Sequence, residues 1–208
     1  MNKYRYTEKE IKLFKKLNSP HKIQNYINSL HFNFDEKWSS CMSPRKVIEQ
    51  KKADCIEGAL LASAILEFHG YKPIILDLRS LKKPYDYDHV VAIFKSGKYF
   101  GAISKTNHAV LRYREPVYKN IREIVMSYFN EYFLGNGQKT LREYSVPVNM
   151  NYFNKINWRT TESSLSEVMT HLDKVRHIKI LNSNQIKNLR KADKIEVLAS
   201  SHTEYKKR

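Results

Sequence analysis

Cys55, His89 and Ser104 are the side chains whose types and order along the chain suit covalent chemistry at an amide carbonyl. A thiol attacks as its thiolate, so it needs a base within hydrogen-bond reach, and the base needs a third group to hold its ring. Cys55 stands where a helix should begin. Asp54 suits the N-cap, and Glu57 three residues on completes a capping box. Unpaired backbone N–H groups and the positive end of the helix dipole both favour thiolate there, while the neighbouring Asp54 charge opposes it. Most cysteines in such places are small packed hydrophobes, so the chemistry hinges on whether later strands bring a base to the thiol.

Three elements must position these groups. Ile56 to Phe68 is apolar almost all round, which predicts a helix packed on most sides, ending at Gly70. Ile74 to Leu78 then reads as a strand. Residues 81–87 read as a loop, and Asp88 to Ser104 as a β-hairpin. With Ser96-Gly97 as its two-residue loop, Phe94 pairs with Tyr99 and His89 falls opposite Ser104 on one face. Val91 and Ile93 share that face, which is expected to pack on the Cys55 helix and bring the thiol within about 4–5 Å of a ring nitrogen. Asp88 should point to the other face.

Around this centre the pattern predicts helices from Thr7 (with Glu10, a capping box), from Ser19-Pro20 and from Ser43-Pro44. A long helix should run from Pro116 to Phe133, and Val146-Pro147-Val148 reads as an edge strand. Ser164 and Glu167 suggest a further capping box, with a short strand near Ile178. The division expected is a helical cover over 1–43, a core over 44–160 and a basic extension over 161–208, within a single domain. The tail from Lys187 onward is expected to be dispensable for the core.

The net charge of +16 favours polyanionic or acidic partners, nucleic acid included, although no RRM, KH or helix-turn-helix signature is present. Two cysteines make no disulfide framework, and the N-terminus has no apolar leader, which points to a reducing, cytoplasmic setting without membrane insertion. Neither HExxH nor a CxxC pair occurs, so no metal and no cofactor are expected.

In Asp54-Cys55-Ile56-Glu57-Gly58-Ala59, the apolar turns after it, Gly70-Tyr71-Lys72-Pro73, and His89-Val90-Val91 with the hairpin to Ser104, the chain resembles the transglutaminase-like superfamily of papain-type cysteine enzymes. The likeness covers about residues 44–108. It implies an α+β fold: a central helix bearing the cysteine on an antiparallel sheet, with additional helices at both ends. It also implies a peptide or protein substrate. Cys55 would attack an amide carbonyl and His89 would activate the thiol, with the thioacyl intermediate passing to water or to an amine. The family carries an aspartate where this chain has Ser104, and Asn107 is a papain-like substitute for it. Trp38 is the matching oxyanion candidate through its indole N–H, beside the Cys55 backbone N–H. Lys105 and Arg112 are candidates for binding a substrate carboxylate or phosphate. The missing aspartate leaves an alternative: an inactive scaffold of the same fold that binds a protein partner or nucleic acid.

Overall fold

Helix α4 (Cys55–Phe68) is enclosed on nearly every side, with Ile56 to Leu66 buried without a break. The computed structural model describes residues 4–35 and 41–205. Before α4 come α1 (Glu8–Lys16), α2 (Pro20–Asn28), β1 (His31–Phe32), α3 (Pro44–Gln50) and β2 (Lys52–Ala53). After it come β3 (Ile74–Arg79), β4 (His89–Ser96), β5 (Tyr99–Ile103), β6 (Arg114–Tyr118), α5 (Ile121–Phe129), β7 (Glu143–Ser145) and β8 (Val148–Asn149). Beyond a short 3-10 stretch lie α6 (Ser166–Lys174), β9 (His177–Lys179), α7 (Ser183–Lys187) and α8 (Lys194–Ser200). The fold is α+β. Strands run in the order β6-β5-β4-β3-β7-β9, with β8 also on β3, and every pairing in this sheet is antiparallel. Among the described residues no helix is long and apolar enough to cross a membrane.

Both faces of the sheet are covered, which is why β3 and β4 are apolar on both sides. Ile75, Val90, Ala92, Phe94 and Ile103 pack with α4 and the N-terminal helices. Leu76, Leu78, Val91, Ile93 and Ala102 pack with Ile124, Val125 and Tyr128 of α5. Gly58 lets α4 approach closely, since a Cβ there would lie 2.4 Å from the Lys105 Cβ.

The hairpin turn is Gly97-Lys98, not Ser96-Gly97: Ser96 pairs with Tyr99 and Ala92 with Ile103. Gly97 has φ +56°, and a primed turn places its glycine first when only that position needs positive φ. The register therefore slips by two residues. A slip of two keeps every side chain on its face, so His89 and Ser104 stay on one face as diagonal neighbours, while Ser104 comes opposite Val91. The expected packing of that face is overturned. Val91 and Ile93 turn toward α5, and α4 receives Val90, Ala92 and Phe94 instead.

The helix expected over 116–133 is also corrected. Arg114–Tyr118 is the edge strand β6, where Pro116 sits at no cost to the ladder, and α5 starts only after Asn120 accepts from the Glu123 N–H. Helix α6 is capped at Leu165 without a side-chain bond, so the Ser164 capping box does not form. The 161–208 stretch is not simply an appendage. Leu165, Val168 and Leu172 enter the core around α4, and β9 pairs with β7. Helices α7 and α8, in contrast, bury no residue.

Candidate active site

Cys55 opens α4 as its first residue. The Glu57 N–H donates to Asp54 Oδ1, and the Asp54 N–H donates to Glu57 Oε2, each at 2.9 Å. Glu57 also accepts from Asn33 Nδ2 at 3.0 Å and from the Met42 N–H at 2.9 Å, tying the chain around the helix start. Cys55 as a residue is half-buried; its thiol meets the Val90 backbone N–H and lines a cavity of about 680 Å³ together with His89.

His89 begins β4 and is 6% exposed. Its ring lies edge-on to Tyr128 of α5 at 6.4 Å. Ser104 Oγ stands 2.7 Å from Nε2 and also 2.7 Å from the Leu111 carbonyl oxygen. A carbonyl only accepts, so the single hydroxyl proton goes to Leu111. Ser104 must then accept from a protonated Nε2. That sets the tautomer: Nε2 carries the proton and Nδ1 the lone pair. Ser104 is itself held by Gln24 of α2, whose Nε2 donates to the Ser104 carbonyl at 2.8 Å and whose Oε1 accepts from the Ser104 N–H at 2.9 Å. Beyond covering the core, the N-terminal helices thus help to hold the site. The available signal was a glutamine on the apolar face of α2 between Ile23 and Ile27, all three now buried.

Burial dominates the electrostatics. It pushes the Cys55 thiol well above its ordinary range, the Asp54 charge adds to this, and the Val90 N–H opposes only in part. Of the opposing influences at the helix end, those that raise the thiol outweigh the backbone N–H groups that lower it. Burial, then the neighbouring His108, push His89 down to about 4, against the Leu111 carbonyl. At neutral pH the pair rests as thiol and neutral imidazole, and no hydrogen bond joins them among the described residues. Asp54 is pushed up to about 7, first by burial and then by Glu57. Asp54→Asn keeps the cap acceptor and removes the charge. At about pH 8 it should speed iodoacetamide alkylation of Cys55 by about three- to tenfold. An unchanged rate across the alkaline range would mean that the thiol does not feel this carboxylate.

The other candidates are placed differently from expectation. The Asn107 side chain does not reach His89. It donates to the Tyr205 carbonyl and accepts from the Tyr205 N–H, both at 2.8 Å. Lys105 lines the cavity but is 1% exposed, donates to the Leu30 carbonyl and lies over the Tyr205 ring; burial lowers it to about 8. Its ammonium is thus engaged by the chain itself. Arg112 is paired with Glu204 at 3.3 Å and does not line the cavity. Trp38 falls outside the described residues. Among the described residues no group of three His, Cys, Asp or Glu side chains could hold a metal ion. Models of known protein families give no match to this chain, and neither do curated proteins.

Proposed function

We propose that the protein is a transglutaminase-like cysteine enzyme that cleaves or transfers the acyl group of an amide. The observation that carries this reading is the His89 ring, its Nε2 held by the Ser104–Leu111 relay so that Nδ1 keeps the lone pair, lining the same cavity as Cys55. In this reading Nδ1 takes the thiol proton as sulfur bonds to the carbonyl carbon, then passes it to the departing amine nitrogen as the C–N bond breaks. The Cys55 N–H, the first of the helix and without a partner among the described residues, is available to the oxyanion. Ser104 supplies orientation and tautomer control but no charge to steady the imidazolium. The nucleophile is therefore generated by general base action rather than stored as an ion pair. Asp54, Glu57, Asp86, Asp88 and Glu131 line the cavity. Such walls disfavour a polyanion inside it despite the overall charge of +16.

The neutral resting pair and the missing aspartate favour a second reading, an inactive scaffold of the same fold that binds a protein partner. One experiment separates the two. Peptidyl p-nitrophenyl esters are offered as acyl donors, and the adduct is mapped by mass spectrometry, with and without a primary amine. The enzyme reading expects acylation at Cys55 and not Cys41, loss of about 10²–10⁴-fold in rate with His89→Gln, and an acid limb near the His89 value of about 4. Acylation at an equal rate in His89→Gln, or none at Cys55, would transfer the weight to the scaffold.

A further inference from the structure

The loop after β5 forms one wall of the Cys55 cavity through Thr106, Asn107 and His108. Its outer edge is occupied by the chain's own residues 202–205. The Ala109 N–H donates to the His202 carbonyl and the Glu204 N–H to the Asn107 carbonyl, each at 2.9 Å, and His108 bridges Thr203 in antiparallel fashion. Asn107 closes the ladder by gripping both backbone groups of Tyr205. Nearly all of this is main-chain recognition, the kind that takes any extended strand. Residues 201–204 are exposed and α8 before them buries nothing, so little apolar packing holds the segment down. Two side chains add preference: Glu204 meets Arg112, and the Tyr205 ring lies 5.0 Å from His31 and 5.7 Å from the Lys105 ammonium.

We propose that the 106–109 edge is a strand-binding subsite for an extended peptide carrying an acidic residue followed by an aromatic one, and that residues 202–205 fill it until such a peptide displaces them. As a route that leads a substrate to Cys55 this rests on the enzyme reading above; the strand pairing stands on the contacts alone.

The test uses the full chain with Glu204→Pro, which deletes the N–H that donates to Asn107. The probe is a labelled, C-terminally amidated peptide Ser-Ser-His-Thr-Glu-Tyr, followed by fluorescence anisotropy. The peptide should bind the variant at least about tenfold more tightly than the unaltered chain, and adding Asn107→Ala should weaken it about tenfold, the worth of its two hydrogen bonds. A probe with lysine in place of glutamate should bind less well. Equal binding to both proteins, or no loss with Asn107→Ala, would overturn the proposal. Hydrogen exchange on the unaltered chain gives a check independent of the variant's folding. The Ala109, Glu204 and Tyr205 amides should exchange through local opening, far ahead of Val91 and Ala92 in the sheet. Exchange only in step with the sheet would make the tail an integral strand and end the proposal. Both readouts are of binding and opening, not turnover, so an inert Cys55 does not disturb them.

Discussion

Arg159→Ala is expected to destabilise the fold by about 3–5 kcal/mol, the range for removing one partner of a buried ion pair. The guanidinium is 3% exposed and donates to both oxygens of Glu67, Nε at 2.6 Å and Nη2 at 2.7 Å. It also donates to the side-chain oxygens of Asn154 and Asn151, and it lies 3.9 Å from the Tyr4 ring centroid and 4.3 Å from that of Trp158. Glu67 stands in the last turn of α4, so this cluster anchors the end of the helix away from Cys55. Alanine leaves the Glu67 carboxylate, 9% exposed, with the Tyr4 hydroxyl at 3.1 Å as its one remaining side-chain donor among the described residues. For a chain of this size the midpoint of thermal unfolding should fall by roughly 10 °C. The double variant Glu67→Met with Arg159→Met should recover much of the loss, because no charge is then stranded. Denaturant titration decides it: a loss below about 1 kcal/mol for Arg159→Ala, the worth of an exposed pair, would mean that the cluster is not the anchor described.

The second large effect is a pH dependence written into His89. Its folded value is pushed down to about 4 from the ordinary 6.5. Above about pH 6.5 neither state binds the proton, and the contribution to stability is complete. As the pH falls from there through about 4, the unfolded chain takes up a proton that the folded ring refuses, and stability declines. The full loss is on the order of 3 kcal/mol. His89→Gln retains an N–H for Ser104 but does not titrate. The stability difference between the two proteins should therefore change by that amount between about pH 7.5 and pH 4. Asp54, raised to about 7, has the opposite sign. Its contribution is complete at low pH and is lost as the pH rises toward 7, but it is common to both proteins and cancels in the difference. A difference that stays flat over the window would show that the ring is not held buried and neutral, and the fixed tautomer would go with it.

What was legible in the sequence was local. The capping boxes at Thr7 and Asp54 and the Ser43 cap close over three residues, so chain geometry suffices to form them. The same holds for Gly70, whose φ of +86° ends the helix region, and for the unbroken apolar run that marked α4 as enclosed. His89 and Ser104 share a face under either turn, because a two-residue slip preserves strand parity, but which residues stand opposite each other depends on the turn. Residues 114–118 were not legible: their spacing suits a helix as well as an edge strand, and only pairing with β5 decides between them. Tertiary structure alone brought Gln24 to Ser104 across 80 positions and Asn107 to Tyr205 across 98. It also decided the balance at the thiol. The dipole and the N–H groups act within one turn of helix and can be read from sequence, whereas the cost of burying a charge depends on everything packed around it. At Cys55 and His89 that cost is the larger effect.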